Sequence, residues 1–202
     1  MIPSLIDMPM PILTKRLRIE PAKPGDGPAY NKAVCDNFAH LSAWMIWAKE
    51  KPSLESSEAL ARSSYAKCIL REELMLALWD RKTGQLVGSS GMHNIDWQVP
   101  RFEIGYWLTQ RAQGKGLMSE AVNAITRYAF AELGAKRVEI RCDIENHRSA
   151  AVARRLGFQL EGVLRNHERN SHGKLRDTVV FSRIQVNDLP DQYVEWPKSS
   201  SK

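Results

Sequence analysis

Residues 101–134 constrain the fold of this chain more than any other stretch. They begin Arg-Phe-Glu-Ile-Gly-Tyr-Trp-Leu, where Phe102, Ile104, Tyr106 and Leu108 fall on one face of an extended chain and Glu103 and Trp107 on the other. The loop Arg111-Ala112-Gln113-Gly114-Lys115-Gly116 comes next. After it, Leu117, Ala121, Ile125, Ala129 and Leu133 recur at every fourth position with Val122 and Tyr128 beside them, and Gly134 ends the run. This spacing predicts an amphipathic helix with a glycine cap. Residues 138–144 then read as a strand, and 148–156 as a short helix stopped at Gly157.

The flanking sequence is mostly strand-like. Residues 13–21 alternate as a half-buried first strand ended by Pro21. Helical spacing appears over 28–39 and 55–71, joined by the aromatic connector 41–47. Residues 73–80 and 85–95 predict a hairpin closed at Gly84, and 158–165 with 178–184 a terminal pair around His172-Gly173. The expected fold class is therefore α+β: a mixed, mostly antiparallel twisted sheet of about seven strands flanked by about four helices. One domain over 12–190 is expected, with an N-terminal extension at 1–11 and a C-terminal tail at 191–202 that frays from Pro197.

Composition excludes several classes. Three prolines and Asp7 interrupt the first dozen residues before a signal-peptide core forms, and no run of roughly 20 apolar residues is present, so a soluble protein without membrane insertion is expected. The three cysteines, Cys35, Cys68 and Cys142, are far apart and lack metal-ligand spacing; no metal and a reducing cytoplasmic setting are expected. The net charge of +6 is dispersed among acids, with no basic run that tracks nucleic acid. A few of those cations suffice for a small polyanion. A monomer or a homodimer fits the sequence equally.

The glycines of the loop let backbone approach a diphosphate closely, and the free N–H groups opening the next helix supply donors and a positive dipole end, with Lys115 adding a cation. The order strand, glycine loop, long helix, strand and short helix resembles the GCN5-related N-acetyltransferase (GNAT) superfamily, whose Arg/Gln-x-x-Gly-x-Gly/Ala motif matches Arg111-x-x-Gly114-x-Gly116. Asn146-x-x-Ser149, followed by residues 151–158, resembles the family's second cofactor-clasping motif. Residues 13–19, 41–47, 102–108 and 114–121 resemble the RimJ/RimL branch, which acetylates the N-termini of ribosomal proteins and also includes enzymes for small amines and other proteins. The likeness spans roughly residues 10–185.

The resemblance implies an N-acetyltransferase using acetyl-coenzyme A (acetyl-CoA) as co-substrate, with direct attack of a neutral amine on the thioester. Expected cofactor contacts are Leu108, Thr109, Arg111, Gln113, Gly114, Lys115, Gly116, Leu117, Met118, Ser119, Asn146 and Arg154, with Arg155 an alternative to Arg154. Backbone N–H groups after Trp107 would polarise the thioester carbonyl. Glu103, facing away from the apolar row and just before the loop, is the candidate proton acceptor, directly or through a water. Ser149 is the candidate donor to the leaving thiolate, and equally suits the cap of the short helix. Many superfamily members carry a tyrosine near the positions of Ala153 or Arg154, and none stands there. Trp44, Trp47 and His93 are the candidate acceptor-binding residues, Trp44 and Trp47 alternatively forming an aromatic staple between helices. Cys142 reads as core. The acceptor is expected to be a protein N-terminus, with a small amine (polyamine, amino acid or aminoglycoside) or an acyl-CoA-binding module without turnover as alternatives.

Overall fold

Alternating apolar residues form the strands of a nine-stranded sheet in this computed structural model, which describes residues 2–170 and 172–198. The strands are β1 (Ile12–Thr14), β2 (Leu17–Pro21), β3 (Leu74–Asp80), β4 (Leu86–Asp96), β5 (Arg101–Leu108), β6 (Arg137–Asp143), β7 (Gln159–Arg169), β8 (Leu175–Arg183) and β9 (Val194–Glu195). Their order is β7-β8-β6-β5-β4-β3-β2-β1-β9. The helices are α1 (Gly27–Asp36), α2 (Phe38–Ser42), α3 (Leu54–Leu70), α4 (Leu117–Glu132) and α5 (His147–Arg155). The α+β class stands; the strand and helix counts exceed those expected. No described helix is long and apolar enough to cross a membrane.

The two-residue period of the strands decides the two faces. Leu74, Leu76 and Leu78 of β3 and Phe102 and Ile104 of β5 join Ala121, Ile125 and Tyr128 of α4 in the main core. The intervening Met75, Ala77 and Trp79 pack with Tyr30 and Ala33 of α1. Glu103 and Trp107 thus point to the α1 side, away from the α4 core.

Among the described residues one strand pair is parallel. β5 and β6 pair over Arg101↔Arg137, Phe102↔Val138 and Glu103↔Glu139, and then diverge. Beyond that point β5 stays bonded to β4 as far as Leu108, and β6 to β8 as far as Asp143. A splay opens between them, with Glu103 at its apex and the loop to α4 at its mouth. Ligands of open sheets bind at such breaks, outside the carboxyl ends of parallel strands.

Four expectations are corrected. Residues 13–21 are not one strand but the hairpin β1–β2, because Thr14 Oγ1 accepts from Leu17 N (2.9 Å) and donates to Glu120 Oε1 of α4 (2.6 Å), turning the chain at Lys15-Arg16. The helix expected over 28–39 breaks at Asn37, whose Oδ1 accepts from Gln110 N (2.8 Å) and whose Nδ2 donates to Ala33 O (2.8 Å). The terminal hairpin is longer than expected at both strands. Residues 194–195, assigned to the tail, form β9 on the free edge of β1, anchored by Trp196, which stacks edge-on against Tyr128 at 5.4 Å and donates to Glu132 (2.9 Å). At the other end, Ile6, Met8 and Met10 of the extension pack on the core, and Arg71 holds Ile6 O. The end of the tail, residues 199–202, lies outside the described residues.

Candidate functional site

Gly114 and Gly116 both adopt left-handed backbone (φ 72° and 74°), a conformation costly for any residue with a Cβ. Gly116 is the N-cap of α4 and supplies no side chain to the helix end. The first ladder bond runs from Glu120 N to Gly116 O (3.0 Å), so the N–H groups of Leu117, Met118 and Ser119 stand ahead of it. Arg16, from the β1–β2 turn, donates to Lys115 O (2.8 Å) and to both oxygens of Glu120 through its Nε and backbone N, fixing the loop from the side.

This loop borders a cleft of about 1040 Å³. Its cationic walls are Arg16, Arg148 and Arg155, and its one acid, Glu120, is already satisfied by Arg16. Donor backbone, cations and a wall without Cβ atoms at the glycines fit a diphosphate-bearing ligand such as coenzyme A.

Of the expected cofactor contacts, Leu108, Gln113, Gly114, Gly116, Leu117, Met118, Ser119 and Asn146 line the cleft. Thr109 does not: its N–H and Oγ1 both turn to Val87 O (2.9 and 3.2 Å). Arg111 and Lys115 are exposed and do not line the cleft. Arg154 stacks on Phe181 instead (5.5 Å), and Arg155, one residue and about 100° further round the helix, takes its place and donates to Ser119 Oγ (2.9 Å).

His40 of α2 was not foreseen. It meets Gln113 Nε2 through its own Nε2, while Gln113 Oε1 accepts from Arg148 (3.0 Å). Burial, and then the Arg148 charge, push the His40 pKa down, so a neutral ring accepts from the Gln113 amide.

Across the splay, a second cavity of about 960 Å³ opens on the α1 side. Trp44, Met45, Tyr106, Trp107, Asn146 and Ser149 line both spaces, so the two meet at the gap between β5 and α5. Asn146 caps α5 by accepting from Ser149 N (3.1 Å). Ser149 is therefore not the cap; its Oγ is free of that duty and bonds the Tyr106 hydroxyl (3.1 Å). Cys142 is buried and its thiol pKa is raised by that burial, as befits a core residue.

Glu103 lines this second cavity with its side chain 14% exposed. Asn94 Nδ2 donates to its Oε2 (3.0 Å), Arg141 Nε lies at 3.5 Å and His93 Nε2 at 4.0 Å. Arg141 is held from behind by Glu139 (2.8 Å). Burial would raise Glu139, yet hydrogen bonds from Arg137 and Arg141 hold it below the usual carboxylate range. The wall contributed by β7 and β8 carries a further carboxylate, Glu168, gripped by Arg176, which also approaches Asp143 at 3.7 Å. Glu168 and Arg176 are cross-strand partners, a relation visible only once the hairpin register is known. Trp44 and Trp47 are 36% and 53% exposed, Trp47 leaning on Trp107 at 6.3 Å, so both border the cavity and are not buried staples.

Comparison with known proteins places the chain in a family and agrees with its fold. The family model of the acetyltransferase (GNAT) domain matches residues 16–159. The uncharacterised N-acetyltransferase p20 of Bacillus licheniformis is 37% identical over 105 residues, 52% of this chain and 58% of that protein. The ribosomal-protein-serine acetyltransferase of Escherichia coli (strain K12) is 30% identical over 143 residues, 67% of this chain and 74% of that protein. Among solved structures, RimL, a ribosomal L7/L12 alpha-N-protein acetyltransferase in complex with coenzyme A, superposes with a TM-score of 0.80 at 26% identity, covering 86% of this chain and 96% of the other.

Proposed function

The chain belongs to the acetyltransferase (GNAT) family, and on that premise we propose that it transfers acetyl directly to the α-amine at the N-terminus of a protein, at the point where its two cavities meet. It is an N-acetyltransferase and takes the group from acetyl-CoA, whose thioester supplies an activated acyl carbon. The observation that carries the reading is the junction in the β5–β6 splay, where Tyr106, Trp107, Asn146 and Ser149 are common to the cationic cleft and the opposite cavity. A donor and an acceptor entering from opposite sides meet there with no need for a covalent enzyme intermediate.

Each residue then has a physical task. The backbone N–H groups of 117–119, with Arg16 and Arg155, hold the diphosphate. Asn146 offers its amide nitrogen to the pantetheine arm, its oxygen being committed to the α5 cap. Glu103 takes the proton that an arriving ammonium must lose, directly or through a water, with Asn94 and Arg141 fixing its carboxylate. Ser149 Oγ–H donates to the leaving sulfur.

The protein acceptor is supported by the names of the relatives and by the exposed indole rims. Trp44 and Trp47 border an opening that suits a peptide, which stacks and hydrogen-bonds along its length. Synthetic octapeptides with a free N-terminus, compared with spermidine, free amino acids and an aminoglycoside in the presence of acetyl-CoA, test it directly. Intact mass should rise by one acetyl on the peptides, at the α-amine. Acetylation of the small amines alone would move the enzyme to that acceptor class.

Trp47→Ala is expected to raise the peptide KM about tenfold, the worth of roughly 1.4 kcal/mol of stacking and burial. The affinity for acetyl-CoA should stay within about twofold, because Trp47 borders only the acceptor cavity. A peptide KM equal to that of the wild type would remove Trp47 from the groove.

A further inference from the structure

Tyr106 has no part in the steps above, yet it stands at the junction. It lies on β5, three residues beyond the last β5–β6 pair, where the strands have parted. Its hydroxyl reaches across the gap to one residue of α5 and bonds it twice. Oη donates to Ser149 O (3.0 Å), and Ser149 Oγ donates to Oη (3.1 Å). We propose that Tyr106 is a positioning residue for thiolate departure, setting the Ser149 hydroxyl at the junction where the sulfur leaves. This rests on the assignment of Ser149 above.

The hydrogen count gives the reason. A phenol carries one hydrogen, and here it is spent on the Ser149 carbonyl, so towards Ser149 Oγ the phenol oxygen can only accept. A lone serine hydroxyl turns among three staggered wells and its O–H bond turns as well. Tethering Oγ to an oxygen that is itself fixed to the same residue's backbone removes most of that freedom before any ligand binds. Burial pushes the Tyr106 phenol above its ordinary pKa, which keeps its proton in place and makes its role geometric, not one of proton supply.

The step balances as follows. The amine nitrogen forms the C–N bond, the C–S bond breaks, and the sulfur departs with the electron pair. The proton lost by nitrogen goes to the carboxylate. As the sulfur leaves, Ser149 Oγ–H turns from Tyr106 Oη to the thiolate, and the Tyr106 O–H turns from Ser149 O to donate to Ser149 Oγ, holding the serine oxygen in place; solvent then protonates the thiolate and Tyr106 keeps its own hydrogen.

A double-mutant cycle tests this. Tyr106→Phe, Ser149→Ala and the double variant are compared by thiol release from acetyl-CoA with the octapeptide, or with spermidine if that amine alone is acetylated. The leaving group is the same in either case. Ser149→Ala is expected to lower kcat about 30-fold, as for a hydrogen bond to a charged group, and Tyr106→Phe about tenfold. The double variant should be no slower than Ser149→Ala, since Tyr106 acts through that hydroxyl. The Kd for acetyl-CoA should stay within about twofold and the Tm of Tyr106→Phe near that of the wild type, the ring being kept. Unchanged kcat in Tyr106→Phe, or a double variant slower by the product of the single effects, overturns the positioning role and leaves Ser149 in place. Unchanged kcat in Ser149→Ala overturns the assignment of Ser149 and with it this proposal.

Discussion

Glu103→Gln is expected to lower kcat about 10²- to 10⁴-fold near neutral pH, while the Kd for acetyl-CoA stays nearly constant, because a proton acceptor acts in the transition state and not in cofactor binding. Glutamine keeps the size of the side chain and can still meet Arg141 through its oxygen, so the splay apex is preserved. The loss should shrink as pH rises. An α-amine titrates near pH 8, and above about pH 9 most acceptor arrives already neutral and has no proton to surrender. A matched Glu168→Gln variant separates Glu103 from a carboxylate across the cavity, since Glu168 faces the same space from β7. Wild-type turnover of Glu103→Gln at neutral and alkaline pH, with a deep loss in Glu168→Gln, would transfer the proton-accepting role to the hairpin.

Gly116→Asp is expected to raise the Kd for acetyl-CoA about 100-fold, equivalent to roughly 2.7 kcal/mol. Two effects add. At φ 74° any Cβ is strained, by about 1 kcal/mol for a residue as tolerant of this region as aspartate. The remainder comes from placing a carboxylate beside the N–H groups that receive the diphosphate. Space is not the obstacle, since an added Cβ would meet only Arg16 Nη2, at 3.7 Å. Gly116→Asn therefore isolates the charge: same shape, same backbone tolerance, no anion. It should weaken binding less than tenfold. Calorimetry on folded variants decides the matter, and an unchanged Kd in Gly116→Asp would remove the loop from diphosphate binding.

Much of this was legible in the sequence because it is local. The β5 alternation, the four-residue steps of α4 and the glycines at 114 and 116 are fixed by bonds between near neighbours, and each appears where the spacing puts it. Glu103 points away from the α4 core for the same reason: a period of two admits only two faces. Arg154 and Arg155 could not be told apart by that kind of reasoning, because a helix turns about 100° per residue and only Arg155 lines the cleft. Without knowing which side of α5 met the sheet, nothing distinguished Arg154 from Arg155.

The rest was decided by contacts between distant parts of the chain. Thr14 turns into a hairpin because Glu120, over a hundred positions away, takes its hydroxyl hydrogen. Residues 194–195 become a strand because β1 leaves an edge open beside them. Tyr106 meets Ser149, 43 positions on, because β5 and β6 stop pairing after Glu103. Periodicity tells which face of an element a side chain takes; which other element stands opposite is set by register and packing, and those are paid for by the burial of the whole core, not by any one segment.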